Sequence, residues 1–247
     1  MSVHLLAKSL ALAKLFIKEQ LKEPVALFWI VVSPVVTFYL ITYARAPMEA
    51  ATKEYLASTS WFYAYVSSSV ALFGLAFYIV GRRESGFLRS FVYTPRTQCI
   101  FLVGQYLAYS FMAVVYCSVF YLCTRLYFGA MEWGELFAIV GRFYVCFLLF
   151  SVPSLLLTLV PMGFQNTNTV FSILSFVMLA FGVASLGSMH SMVEVVRFFN
   201  PLWWANQIML LGVAESFYVV MAVAGLFVCS FYITLRFLLI NPVWSRY

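Results

Sequence analysis

Long stretches of uncharged, mostly apolar residues alternate along the chain with short segments that hold its charges. About 20 helical residues are enough to cross the hydrocarbon of a bilayer. No charged residue occurs in 25–44, 55–81, 97–124, 143–193 or 216–235. The longest of these has room for two crossings, separated by the turn-forming sequence PMGFQNTN at 161–168. The pattern predicts six membrane-spanning helices, over residues 25–44, 58–80, 99–126, 136–160, 169–187 and 216–238.

Composition supports this pattern. Of the 247 residues, 64% are hydrophobic and only 10% are charged, whereas about 25% of the residues of an ordinary soluble domain are charged. We therefore expect an all-α membrane protein that forms a single transmembrane domain over residues 1–247.

Residues 1–23 have the pattern of an amphipathic helix. Polar and cationic side chains recur at steps of three and four from His4 to Lys22, with apolar side chains such as Leu12 and Phe16 on the far side. A lysine-rich face opposite an apolar face is typical of a helix that lies in the membrane surface. We expect an N-terminal interfacial helix here.

Cationic side chains predict the orientation of the spans, because cytoplasmic loops carry an excess of lysine and arginine. With both termini inside, ten cations lie on the cytoplasmic side and five on the outer side. The inner set is Lys8, Lys14, Lys18, Lys22, Arg82, Arg83, Arg89, Arg96, Arg236 and Arg246. The outer set is Arg45, Lys53, Arg125, Arg142 and Arg197. The positive net charge is therefore explained by the cations of the cytoplasmic side, and no nucleic-acid partner is expected.

The segment 188–215 is too polar for a seventh span and too apolar to lie free in water. Asn200-Pro201 interrupts it, and Trp203 and Trp204 suit the level of the lipid headgroups. It predicts two short re-entrant or interfacial helices on the outer side, before the last span.

Several classes of chemistry lack their residues in this chain. It has no aspartate, two histidines and no Gly-Lys dipeptide, so a phosphate-binding P-loop, a metal site and a Ser/His/Asp triad are not expected. No catalytic residue and no cofactor are predicted, and a transporter of this composition has to draw energy from a partner. Arg125 and Arg142 are the deepest charges. Either Arg125 pairs with Glu132 or Glu135 and Arg142 reaches the interface, or the two arginines contact substrate.

The charged segment 81–97 stands between two apolar stretches. On a helical wheel, Phe87, Leu88, Phe91 and Val92 form one arc and Arg82, Arg89, Ser90 and Tyr93 the opposite arc. Glu84 falls inside the apolar arc, where an unpaired carboxylate is costly, so we expect a cationic or hydrogen-bonding partner for it. Pro95 is expected to end this short helix. Composition alone leaves two interpretations open: a loop that lies on lipid, and a docking site.

The sequence RESGFLRSFVYTP, followed by VGQYLAY, resembles the RExGxxxxxxxTP…GK stretch of the type-2 ABC exporter permeases. The resemblance covers essentially the whole chain, from the amphipathic N-terminal helix through six spans to an Asn-Pro motif before the last span. Gln105 stands where the family often has lysine.

The resemblance implies that 81–97 is a coupling helix that sits in a groove of a separate ATPase subunit. The residues that would transmit movement are Arg83, Glu84, Gly86, Phe87, Arg89, Thr94 and Pro95. It also implies a homodimer in the bacterial inner membrane with two ATPase subunits, which would hold the ATP and Mg, and alternating access. We therefore expect the partner of Glu84 to lie either in the first-span region or on the ATPase.

In the family, spans two and five flank the substrate path. The corresponding candidates are Trp61, Tyr65, Ser68, Phe171 and Phe176, although such aromatic and small residues also serve ordinary helix packing. The expected cargo is amphiphilic, such as an antimicrobial peptide or a hydrophobic antibiotic, exported for self-immunity. Two alternatives stay open. One is export of a lipid-linked polysaccharide, since Phe28-Trp29 with Pro34 is similar to the polysaccharide exporters. The other is a non-transporting membrane anchor for a cytoplasmic partner.

Overall fold

The computed structural model describes residues 3–23, 28–44, 55–184 and 197–243. These residues contain helices and no strand. The helices are α1 Val3–Gln20, α2 Phe28–Ala44, α3 Tyr55–Glu84, α4 Phe87–Phe91, α5 Pro95–Arg125, α6 Trp133–Leu157, α7 Phe164–Ala184, α8 Pro201–Leu211 and α9 Phe217–Phe237.

Five of the described helices are long and apolar enough to cross a membrane: α3, α5, α6, α7 and α9. The chain is therefore an all-helical membrane protein in the part that the structure describes. The first predicted span corresponds to α2, which is shorter, about 25 Å at 1.5 Å per residue. Residues 25–27 of that prediction, and 185–187 of the fifth span, lie outside the described residues.

Helix α3 forms the centre of the bundle. It is the most buried of the five long helices, and α5, α6 and α8 pack around it. Its middle, Val70–Ala76, is a π-helical stretch, preceded by Ser67 and Ser68, whose hydroxyls donate to backbone carbonyls three residues earlier. Gly74 lets α5 approach closely, since a Cβ atom there would lie 2.6 Å from Cε1 of Tyr109.

The N-terminal helix packs against the protein as well as facing outward. Helix α1 lies along α5 and buries Ser9, Ala13, Phe16 and Gln20, while its lysines are exposed. Phe16, predicted on the apolar side opposite the lysines, therefore packs on the bundle. The side chain of Phe16 lies in an edge-to-face contact with Phe101 of α5. Small and hydrogen-bonding residues make this contact possible, because a helix backbone can approach closely only where side chains are small.

The segment 81–97 is less separate from its neighbours than predicted. The chain remains helical from α3 through Glu84, and α4 is only five residues long. Pro95 begins α5 and does not end the preceding helix, so that prediction is wrong. Proline is favoured at a first helical position, where no intrahelical partner for an N–H exists.

Helix α8 is an internal short helix between α3 and α6. Asn200 caps its start by accepting a hydrogen bond from the N–H of Leu202 at 3.0 Å, and it donates to the carbonyl of Met178 at 2.9 Å. The Asn-Pro motif thus joins α8 to α7. Most of the first predicted short helix, in 188–196, lies outside the described residues.

Two arginines fix the end of the bundle where α5 ends and α6 begins. Arg125 pairs with Glu135 at 2.7 Å, which confirms the predicted pairing with a nearby glutamate. Arg142 donates to the carbonyl oxygens of Met209 at 2.7 Å and Leu210 at 3.3 Å. It thereby satisfies carbonyls of the last turn of α8, which lack intrahelical partners.

Candidate functional site

Three consecutive residues at the end of α3 connect four parts of the chain. They are Arg82, Arg83 and Glu84, which we call the charged hub. Each of the three side chains contacts a different neighbour: the N-terminal helix, the turn between α6 and α7, and the C-terminal segment. These contacts bring the end of α1, residues 82–84 and Val243 to the same end of the bundle.

Arg83 binds the end of α6. Its side chain is almost completely buried, and Nη1 donates to the carbonyl oxygens of Thr158 at 3.0 Å and Val160 at 3.3 Å. Nη2 donates to the carbonyl oxygen of Met162. The last carbonyls of a helix have no intrahelical partner and carry partial negative charge, so a cation is favourable there. A buried guanidinium is stable only when such hydrogen bonds replace its water.

Glu84 binds Arg83 and the C-terminal segment. One carboxylate oxygen accepts from Nε of Arg83 at 2.8 Å, and the carboxylate also accepts from the backbone N–H of Val243 at 3.2 Å. The side chain of Glu84 is 10% exposed. The expectation of a partner for this carboxylate is therefore met within the chain. Arg83 and Val243 belong to neither of the two places where a partner was expected, the first-span region and the ATPase.

Arg82 binds the N-terminal helix. It forms an ion pair with Glu19, and its guanidinium carbon lies 4.9 Å from the ring centre of Phe16 and 5.1 Å from that of Phe87. One turn earlier on α3, the hydroxyl of Tyr78 donates to Glu23. The end of α1 and the residues directly after it are therefore attached to α3 by two polar contacts, one of which is made by Arg82 between two aromatic rings.

Helix α4 follows the hub and, together with Val92 and Tyr93 directly after it, presents two different sides. Leu88 and Val92 are buried, whereas Arg89 and Tyr93 are exposed. Phe87 and Phe91 stack on each other with ring centres 5.5 Å apart. The short helix is thus held to the bundle by its apolar side, and its polar side faces outward.

Gly86 provides the turn that separates α3 from α4. Its φ of 77° lies in the left-handed region, and a Cβ atom there would meet no atom within 4 Å. The glycine is explained by backbone conformation, because residues with a Cβ rarely adopt this region. Crowding plays no part at this position.

Thr94 and Pro95 start α5. The hydroxyl of Thr94 accepts from the N–H of Thr97 at 3.2 Å, and the hydroxyl of Thr97 accepts from the N–H of Thr94 at 3.1 Å. This reciprocal pair satisfies two N–H groups that a helix start leaves without partners. Both residues are exposed beside the polar side of α4.

The five candidate path residues do not form one lining. Ser68 and Phe171 are buried, and Phe171 packs against Phe73 with ring centres 6.4 Å apart. Trp61 and Tyr65 are half-buried, whereas Phe176 is 71% exposed. Their role in a substrate path stays a prediction.

A cavity of about 350 Å³ lies between α6, α7 and the start of α8. Its walls are apolar except for Asn200, and no candidate path residue lines it. Helix α7 contributes Leu174, Val177, Met178 and Phe181. Their spacing of three and four residues places them on one helix face. This spacing is the feature of the sequence from which the cavity wall could have been predicted.

Comparison with known proteins finds a full-length bacterial relative. The chain is similar to Protein McbE of Escherichia coli, with 27% identity over 238 residues, which cover 96% of this chain and 98% of that protein. No family model matches the chain. The similarity thus covers nearly the full length of both proteins, without assigning this chain to a family.

Proposed function

We propose that this chain is the transmembrane permease subunit of an ATP-driven exporter of the type-2 ABC class. The observation that carries the proposal is the charged hub. Within it, Arg83 and Glu84 match the arginine-glutamate pair of the family stretch. They join the end of α3 to the α6–α7 turn and to the C-terminal segment, directly beside the exposed polar side of α4. Such an arrangement suits a lever that receives movement from a docked partner and passes it to the spans.

The exposed side of α4 and the start of α5 would form the docking surface for an ATPase subunit. It combines the cation of Arg89 with the hydroxyls of Tyr93 and Thr94 and the rigid ring of Pro95. The partner would hold ATP and Mg, because the chain has no P-loop. In this proposal the docking surface faces the cytoplasm, and so do both termini, in the inner membrane of a bacterium.

Movement would pass from α4 through the hub. Arg83 connects the end of α3 to the α6–α7 turn, Arg82 connects it to α1, and Glu84 connects it to the C-terminal segment. Hydrogen bonds to charged groups each contribute about 1.5–3 kcal/mol. Connections of this strength allow the helices to rock together between two packings, as rigid-body transitions require.

A second copy of the chain would complete the translocation path. In this proposal each copy contributes six spans, with α2 as the first, and each copy docks one ATPase subunit. Helices α7 and α9 are the least buried of the long helices. Their apolar outward sides suit lipid and a second copy equally.

An amphiphilic cargo, such as an antimicrobial peptide or a hydrophobic antibiotic, fits the chain best. The cavity of about 350 Å³ has apolar walls and one amide, that of Asn200. Pockets of about 300–1,000 Å³ take small molecules or parts of larger ones, with few polar groups to orient them. Export of such a cargo would give the producing cell immunity to it.

Reconstitution in proteoliposomes together with its ATPase tests the proposal. We expect ATP-dependent movement of an amphiphilic cargo, and ATP hydrolysis that the cargo stimulates. As a control, a matched sample contains an ATPase variant that binds ATP without hydrolysing it, and this sample should not move cargo. A non-transporting anchor would bind the ATPase through the same surface without moving cargo, so binding without transport would contradict the proposal.

A further inference from the structure

A second cavity lies beside the charged hub, between the end of α1, the end of α3 and the start of α7. Its volume is about 530 Å³, within the range of small-molecule sites. Unlike the cavity between α6 and α7, it has charged walls. Glu19, Lys22, Glu23 and Arg82 line it together with aromatic rings, among them Phe164. We call it the headgroup cleft.

The charges of the cleft are of both signs and stand close together. Glu19 and Glu23 come from the last turn of α1 and the residues after it, four positions apart, with Lys22 between them. Oε2 of Glu19 binds Arg82 and Oε2 of Glu23 accepts from Tyr78. Among the described residues, neither Oε1 atom has a hydrogen-bond donor and Lys22 has no ion pair. Two acceptors and one cation are thus left for a ligand.

The base of the cleft is apolar. Phe77 and Phe164 lie with ring centres 4.4 Å apart, and a Cβ atom at Gly81 would lie 3.3 Å from Cε2 of Phe164. The side chain of Phe164 is 46% exposed, so the apolar part of the cleft is open to its surroundings. A ligand that fits both parts has a charged head of mixed sign and an apolar body.

The position of the cleft along α3 suits the depth of lipid headgroups. Helix α3 has 30 residues, so it is about 45 Å long and exceeds a hydrocarbon layer of about 30 Å. Tyr78 and Arg82 occupy its last turns, and tyrosine and arginine are favoured at the membrane–water boundary. An amphiphile in the adjacent leaflet can reach the opening without leaving the interface.

We propose that the headgroup cleft binds a zwitterionic amphiphile with a phosphate and a primary amine, the chemistry of a phosphoethanolamine head. Lys22 would bind the phosphate, with Arg82 beside it, and the free oxygens of Glu19 and Glu23 would accept hydrogen bonds from the ammonium. A quaternary amine cannot donate these bonds, and a glycerol head has no cation. The site therefore discriminates among lipids by its carboxylates.

Native mass spectrometry of the purified full-length chain in detergent tests this assignment. Dioleoyl-phosphatidylethanolamine, -phosphatidylcholine and -phosphatidylglycerol are added in turn, and the affinity of the first bound lipid is measured. We expect the ethanolamine lipid to bind about tenfold more tightly than the other two, since each loses a charge-assisted contact. Glu23→Gln should remove most of this preference. Lys22→Gln should instead weaken the binding of all three lipids, because each of them carries the phosphate.

Matched controls are available elsewhere on the chain. Lys8→Gln removes an exposed lysine of α1, and Glu132→Gln removes an exposed glutamate near the start of α6. Both should keep the preference. Equal thermal unfolding of all variants establishes that the losses are local. Equal binding of the three lipids, or a preference for the glycerol head, would overturn the proposal, and so would an unchanged preference in Glu23→Gln.

Competition with water-soluble glycerophosphoethanolamine identifies the source of the ligand. If it displaces the lipid, the head alone is recognised and the cleft also accepts soluble cargo heads. If only the lipid binds, the acyl chains contribute and the ligand comes from the bilayer. Both results support the recognition chemistry, and binding of neither molecule would contradict it.

Discussion

Nε of Arg83 lies 2.8 Å from Oε1 of Glu84, so two neighbouring residues form an ion pair at the end of the central helix. The remaining nitrogens of Arg83 bind the α6–α7 turn, and the carboxylate of Glu84 binds the N–H of Val243. The pair therefore holds together two segments that have no direct sequence connection. Its contribution can be measured separately from transport.

The first prediction concerns the coupling energy of this pair. Arg83→Ala removes the donor to three carbonyls and the cation beside Glu84, and removal of one partner of a buried pair costs about 3–5 kcal/mol. Glu84→Ala should cost less, about 1.5–3 kcal/mol, because Arg83 keeps its carbonyl partners. The double variant should be more stable than the sum of the single effects predicts. Thermal unfolding in detergent measures the stability of the wild type, the two single variants and the double variant. Strict additivity of the two single effects would contradict the pairing.

A second prediction separates coupling from assembly. Glu84→Ala should still insert and dimerise, since the spans do not depend on this carboxylate. Transport and cargo-stimulated ATP hydrolysis should fall about ten- to a hundredfold, because loss of a charged hydrogen bond shifts a two-state equilibrium by that amount. Glu84→Gln keeps an acceptor for the N–H of Val243 and should lose less. Wild-type transport by Glu84→Ala would remove the coupling role.

The third prediction concerns docking. Arg89 is exposed on the polar side of α4 and makes no ion pair with any residue that the structure describes. Arg89→Ala should therefore leave the thermal stability of the chain unchanged and weaken ATPase binding about tenfold, as expected for loss of one charge-assisted contact. Lys14→Ala, an exposed cation on α1, is the control. Pull-down with the purified ATPase compares the two, and equal binding would refute the docking surface.

The five long apolar helices were predictable because uncharged stretches of sufficient length are rare outside membrane helices. Their ends were harder to predict. The sequence pattern places Arg83 in a charged loop. It lies within a helix because its guanidinium binds the carbonyls of Thr158 and Val160, 75 and 77 residues later in the chain. No local pattern indicates a partner at that separation.

The orientation of α1 shows the same limit. Its lysine face was predictable from the spacing of the cations. The side that packs on α5 depends on Ser9, Ala13 and Gln20, which have too little hydrophobicity to mark a buried face. Gln20 is buried because its amide lies between two hydroxyls, accepting from Tyr109 at 2.7 Å and donating to Tyr116 at 3.3 Å. These tyrosines stand about 90 residues away, so only the fold brings them together.

Gly74 supplies a fourth prediction, on the packing of the central helix. Its missing side chain leaves room for the ring of Tyr109, and a Cβ atom would approach Cε1 to 2.6 Å. Gly74→Ala should lower the unfolding free energy by about 1–3 kcal/mol, the usual cost of overpacking. Gly141→Ala is the matched control, because no atom lies within 4 Å of a Cβ there. It should be neutral or stabilising by up to about 1 kcal/mol. Similar thermal stability of the two variants would contradict the close approach of α3 and α5.

The last prediction concerns sidedness. Ser90 on α4 and Glu132 before α6 are both exposed, and they lie at opposite ends of the bundle. Ten cations lie on the side of α4 and five on the opposite side, and this excess predicts that the α4 end is in the cytoplasm. In a background with the five cysteines replaced, Ser90→Cys should react with a membrane-impermeant maleimide only after cells are opened, whereas Glu132→Cys should react on intact cells. Each position is the control for the other, because one is expected to be reached from the cytoplasmic side and the other from outside the cell. Labelling of Ser90→Cys from outside would place the docking surface where no cytoplasmic ATPase can reach it, and the proposed function would fail with it.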